Sequence, residues 1–247
     1  MDQLLVALDV ESAAKAIAVA DSLRGVAGGF KIGSRLFTSE GPSIVRALVD
    51  KGDRVFLDLK FHDIPNTVAQ AVAAATSLGV WMLNVHASGG RKMMEAARDA
   101  AKEAAIRAGL SPPMVIAVTV LTSMNAPALE ETGYLAAAPK EGGSAGVLGQ
   151  VVRLAHLAEA SGLDGVVASP QETATLRQSC DSRFSIVTPG IRGGGATTAG
   201  KDDQERTMSA GEAIAAGASY IVVGRPITEA ASPRDAARAI VDELSRG

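Results

Sequence analysis

The sequence predicts an α/β fold, a single-domain (β/α)8 barrel of the TIM type, and three observations carry the prediction. Short Val/Ile/Leu-rich runs alternate with longer Ala-rich helical segments along the whole chain, giving eight strand–helix pairs. The length is 247 residues, and about 250 is typical of such a barrel. Apolar residues make up 47% of the chain but aromatic residues only 3%, so Ala, Val, Leu and Ile must build the core. That composition suits parallel strands buried on both faces under a layer of helices.

Taken in order, the first strand spans 4–9 and precedes a helical pattern near 12–24. It ends in "ALDVES" and lacks the G-x-G-x-x-G of an open doubly wound sheet, the competing architecture. Strands at 29–33, 54–60 and 80–86 follow, with helices near 39–51, 65–78 and 90–108 between and after them. The strand at 114–121 leads into a long connection, 122–144, expected to hold a short helix, and then a helix near 145–161. Strands 164–168 and 184–189 bracket a helix near 170–179, and strand 219–224 lies between helices near 209–216 and 233–245. No charge run or Pro/Ser-rich linker divides the chain, so one domain over 1–247 is expected. The second long connection, 190–207, has five glycines and no apolar periodicity. A lid over a site and a mobile surface loop are both open readings of it.

The net charge of −3 offers no basic surplus for nucleic acid or anionic lipid. The only cysteine is Cys180, so no intrachain disulfide can form and a cytoplasmic setting is expected. The opening "MDQLLVALDV" has an acid at position 2 and no cationic n-region, so it does not read as a signal peptide. The longest fairly apolar stretch, Val68 to Val85, contains Gln70, Thr76, Ser77 and Asn84 and reads as a helix followed by a strand, not a membrane span.

Active sites of such barrels form at the C-terminal ends of the strands, and polar residues gather there. Asp9 closes the first strand, Lys31 lies in the second, Asp58 and Lys60 end the third, and His86 ends the fourth. Thr122 and Ser123 follow the fifth, "TPGIRGGG" the seventh and "VVGRPI" the eighth. Asp58 and Lys60 share a strand face roughly 6.6–7 Å apart, where unpaired charge would be costly. They either close the barrel mouth as a salt bridge or meet a ligand. Asp63 can serve as N-cap of the next helix, ahead of Pro65 and Asn66, and Lys31 can reach solvent. Arg192 and Arg225, each beside glycine, supply forked donors for phosphate at the rim of the last two strands. No His/Cys/Glu cluster has metal-ligand spacing; His62 and His156 read as structural and His86 as a lining residue at most.

The stretch "FLDLKFHDIPNT" closely resembles the D-x-K-x-x-D-I-P-N-T signature of the orotidine 5′-phosphate decarboxylase family. The resemblance runs the length of the chain, through "ALDV", "FKIG", "VTVLTSM", "VTPGIR", "DDQERTM" and "YIVVGRPIT" in order. It implies cofactor-free decarboxylation of orotidine 5′-phosphate to UMP, with no metal. Lys60 would be the proton donor to C6, Asp58 would face the substrate carboxylate, and Lys31 would bind Asp58 and a ribose hydroxyl. Asp9 would bind ribose hydroxyls, with Thr122 and Ser123 at the pyrimidine. Arg192, Gln204, Gly224 and Arg225 would grip the phosphate, Gln204 from the closing loop, and Pro189 would be a further substrate-binding residue. Asp63, Ile64 and Thr67 would be donated across a homodimer interface to the neighbouring site.

A lysine held between two aspartates stays cationic and can stabilise the carbanion left when carbon dioxide departs. Two other readings remain. One is a magnesium-dependent enzyme like 3-keto-L-gulonate-6-phosphate decarboxylase or hexulose-phosphate synthase, where Lys31 would repel the metal. The other is a non-catalytic phosphate-binding barrel.

Overall fold

The structure is a computed structural model describing residues 2–135, 143–192 and 208–245. The chain forms β1 (Leu4–Ala7), β2 (Gly29–Gly33), β3 (Val55–Phe61), β4 (Met82–His86), β5 (Met114–Val118), β6 (Gly165–Val167) and β7 (Ser185–Thr188). Two short strands follow, β8 (Ile191–Arg192) and β9 (Met208–Ser209), which pair with each other in parallel. The last strand, β10 (Tyr220–Val223), lies between β7 and β1 and closes an eight-stranded parallel barrel. Helices between the strands cover the outside, as expected for a sheet buried on both faces.

Period-two alternation sorts the strand residues. Leu5, Phe56, Met82, Ile116, Val187 and Val222 cluster inside the barrel, while Leu4, Val6, Ile32, Leu57, Leu83 and Ile186 belong to the larger cluster beneath the helices. Trp81 and Tyr220 meet edge to face at 5.3 Å at the N-terminal mouth, with the Arg54 guanidinium 4.6 Å over the Trp81 ring. Register then places Lys31 beside Ala7 and Phe56, Asp58 beside Gly33, and Asn84 beside Ile116. The inward-facing series therefore changes from apolar to charged on approaching the C-terminal mouth.

Several boundaries differ from the sequence expectation. β1 ends at Ala7, so Asp9 lies two residues beyond the strand, and β5 ends at Val118. The expected helix near 39–51 is two helices, Ser34–Glu40 and Pro42–Val49. Gly41 at φ 68° separates them, in the left-handed half of backbone space that glycine enters freely, and Pro42 starts the second. The short helix expected in the long connection is Ala126–Glu131, where the Asn125 side chain accepts the Ala128 N–H at 3.2 Å. The 190–207 connection begins with β8, and β9 follows it directly. No helix among the described residues is long and apolar enough to cross a membrane.

Candidate active site

The charged residues at the C-terminal mouth form one connected line. Lys31 is buried, and its Nζ lies 3.2 Å from Asp9 Oδ1 and 3.5 Å from Asp58 Oδ2. Lys60 Nζ lies 2.6 Å from Asp58 Oδ1. The order Asp9–Lys31–Asp58–Lys60 thus alternates in sign across three adjacent strand ends. Burial alone would raise the Asp58 carboxyl, but Lys31 and Lys60, with hydrogen bonds from Lys60 and Asn84, outweigh it and hold the group below the usual carboxylate range.

The position of Lys60 comes from a break in the β3–β4 ladder. Leu57 pairs with Leu83 and Phe61 with Val85, so residues 58–60 of β3 stand opposite Asn84 alone. Such a bulge bends its strand and leaves backbone groups without ladder partners. Lys60 takes up the bend at φ 53°, the only positive φ of a non-glycine among the described residues. A side chain held there costs on the order of 1–3 kcal/mol and persists only where its surroundings enforce it. The enforcing group is Asn84, whose Oδ1 accepts the Lys60 N–H at 2.8 Å while its Nδ2 donates to Asp58 Oδ1 at 2.7 Å.

His86 ends β4 beside this group, its ring 5.2 Å from that of His62. Burial, then the proximity of His62 and Lys60, lowers His86 to about 4, so it is neutral at pH 7 and adds no second cation beside the lysine. Gly33 leaves room for the Lys31–Asp9 contact: a Cβ there would lie 3.0 Å from Lys31 Nζ and 3.2 Å from Asp9 Oδ1.

Asp63, Ile64 and Thr67 lie together at the rim, all exposed, Ile64 at 66%. The helix-cap reading of Asp63 is corrected here. The N-cap of helix Pro65–Thr76 is Ile64, and among the described residues the Asp63 carboxylate accepts only the Ile64 N–H, at 2.6 Å. The proline at the first helical position has no N–H to cap. Among the described residues Asp63 makes no ion pair within its own chain, and Lys60 pairs with Asp58 alone.

Thr122 and Ser123 lie in a turn beyond β5, Thr122 half-buried and Ser123 exposed. On the other side of the mouth, Pro189 follows β7 and Gly190 turns the chain at φ 83° into β8, which contains Arg192. Gly224 follows β10 and precedes the short helix Arg225–Thr228. Because β7 and β10 are neighbours in the barrel, Pro189, Arg192, Gly224 and Arg225 belong to adjacent strand ends. The Arg192 side chain and Gln204 fall outside the described residues, as does the glycine-rich part of the expected lid.

Comparison with known proteins gives the geometry its family. The sequence profile of the orotidine 5′-phosphate decarboxylase / HUMPS family matches residues 2–240. The chain belongs to this family. A relative from Chromobacterium violaceum, named orotidine 5′-phosphate decarboxylase, is 52% identical over 243 residues, covering 98% of this chain and 91% of that protein. One of the same name from Syntrophotalea carbinolica is 49% identical over 243 residues, covering 98% and 95%. The solved structure of orotidine 5′-phosphate decarboxylase from Lactobacillus acidophilus superposes with TM-score 0.82 at 35% identity, covering 98% of both chains. The carboxy-lyase family and barrel expected from the sequence are thereby borne out.

Two residues that shape this line of charges, Asn84 and Gly33, carry no signal in the sequence. Asn84 was visible only as one polar residue in the apolar run "WMLNVH", and Gly33 as the end of "FKIG". Neither spacing nor chemistry points to either one: Asn84 acts on the neighbouring β3, and Gly33 matters only where Lys31 of its own strand meets Asp9 beyond β1.

Proposed function

We propose that this protein decarboxylates orotidine 5′-phosphate to UMP and carbon dioxide, the last step of de novo UMP synthesis, without a cofactor. The observation that carries the reading is the Lys60 ammonium, anchored on Asp58 at the C-terminal mouth of the barrel. In the reaction the bond from C6 to the carboxylate breaks and its electron pair stays on C6. Lys60 then gives its proton to C6, becomes a neutral amine, and regains a proton from solvent. A cation already fixed in place stabilises the developing charge with little reorganisation.

The other residues take roles around that step. Asp58 faces the departing carboxylate, Lys31 and Asp9 bind ribose hydroxyls, and Thr122 with Ser123 meet the pyrimidine. Pro189, Arg192, Gly224 and Arg225 receive the phosphate, with Gln204 closing over it from the 190–207 loop. Phosphate binding far from the reacting carbon then supplies the energy that closes the loop and completes the site. A second copy of the chain lends Asp63, Ile64 and Thr67. This fits their exposure, an isoleucine 66% exposed at the rim of a site and a carboxylate without an ion pair among the described residues of its own chain. A cytoplasmic setting agrees with the free thiol of Cys180.

The donor set agrees with a metal-free reaction, since the Lys31 ammonium already contacts both Asp9 and Asp58, the carboxylates a divalent cation would need. The test is metal-stripped protein with excess EDTA and orotidine 5′-phosphate, followed by pyrimidine absorbance. Undiminished turnover is expected. No turnover with or without added Mg²⁺ would sink the proposal, and turnover restored only by Mg²⁺ would favour the metal-dependent branch.

A further inference from the structure

We infer that Asn84 is a positioning residue, whose single amide sets both the backbone of Lys60 and the carboxylate of Asp58. The inference rests on the proposed role of Lys60, and the geometry leaves the amide one orientation. A backbone N–H can only donate, so the atom facing Lys60 N at 2.8 Å is the oxygen, and the NH₂ group is left facing Asp58 Oδ1 at 2.7 Å. Asn84 is fully buried, so water cannot replace either bond.

Both bonds act on the same ammonium. The first holds the bulge that turns Lys60 to φ 53°, the conformation from which its side chain folds back onto a residue only two positions earlier. The second places a donor on the very oxygen that receives Lys60 Nζ, so Asp58 cannot rotate away without losing two bonds. Leu or Val, the residues the rest of the strand would suggest, could do neither. The amide itself touches Lys60 and Asp58; Lys31 pairs with the same Asp58 carboxylate, and His86 lies two residues further along β4 with the His62 ring 5.2 Å from its own.

Two variants separate this role from simple packing. Asn84→Ala removes both bonds. Asn84→Asp keeps the oxygen for Lys60 N–H and replaces the donor with a second carboxylate. In the Ala variant, hydrogen exchange at the Lys60 amide should accelerate at least about tenfold more than at Leu57 and Val85, as expected of a local opening. Its kcat should fall about a hundredfold, the cost of a misplaced reacting group, with KM within about threefold. In the Asp variant the Lys60 amide should stay protected. Its kcat relative to wild type should rise between about pH 8 and pH 5, as the new carboxyl gains a proton and donates to Asp58 again.

Unchanged exchange at Lys60 in the Ala variant, or wild-type kcat in both, overturns the inference. If the Ala variant does not fold, a relative pH profile for the Asp variant that stays flat does so alone. If wild-type protein shows no turnover, the proposed function fails, and amide exchange still decides whether Asn84 holds the bulge.

Discussion

Lys60 Nζ lies 2.6 Å from Oδ1 of Asp58, a residue two positions earlier in the same strand, and makes this contact from the left-handed backbone region at φ 53°. In a regular strand two such side chains would stand side by side and roughly parallel. Here the bulge turns one toward the other, so the ammonium is tethered close to its carboxylate while still facing the mouth. Lys60→Ala should therefore lower decarboxylation at least about 10³-fold, the scale of losing a fixed electrostatic stabiliser. Binding of UMP, measured by calorimetry, should change by no more than about threefold, because the proposed phosphate contacts at Arg192, Gly224 and Arg225 would be left in place. Turnover near wild type would refute the proton-donor assignment.

Gly33 supplies a test on the Lys31 side. Its backbone, at φ −93° and ψ 176°, is open to any residue, so Gly33→Ala brings no backbone strain. The new methyl would instead meet Lys31 Nζ at 3.0 Å and Asp9 Oδ1 at 3.2 Å and push the two apart. If Lys31 and Asp9 bind ribose as proposed, activity should drop about tenfold, mainly through KM, since those contacts would be displaced and the Lys60–Asp58 contact would not. The melting temperature should move by only about 2 °C. A change in kcat with unaltered KM would show that Lys31 acts on the chemical step.

His86 predicts a pH dependence of stability. Its pKa falls from 6.5 to about 4 on folding, chiefly because burial disfavours the charged ring. As pH drops, the unfolded chain takes up this proton first, so folding is penalised. The contribution is fully present above about pH 6.5, is lost progressively down to about pH 4, and then levels off. Urea midpoints at steps through this range should fall more steeply for wild type than for His86→Gln. Equal slopes would mean the ring is not shielded from water. Asp58, whose pKa is lowered, adds a loss that begins as pH falls through the ordinary carboxylate range and continues below it, with the same sign.

The shared-site reading predicts complementation. Lys60→Ala and Asp63→Ala homodimers should each be nearly inactive. After subunit exchange, about half the dimers are mixed, and each mixed dimer holds one site with both lesions and one intact site. Activity should return to about a quarter of wild type. No recovery, with exchange confirmed by mass spectrometry, would place Asp63 in its own chain's site.

The sequence alone determined the strand–helix alternation, the barrel it implies and the face on which Lys31, Asp58 and Lys60 lie. These are local properties: inward or outward facing follows from period two, and the turn from strand to helix follows from residue type. Tertiary structure decided what those charges touch. Lys31 meets Asp9 because β1 adjoins β2, and Gly33 leaves the space for that contact. Asn84 reaches Lys60 because the β3–β4 ladder slips after Leu57. Register between strands sums many weak contacts from distant parts of the chain, and no short stretch of residues encodes it. The motif "LDLKFHDIPNT" therefore showed which charges gather at the mouth, whereas an asparagine from the neighbouring strand set the direction in which its lysine points.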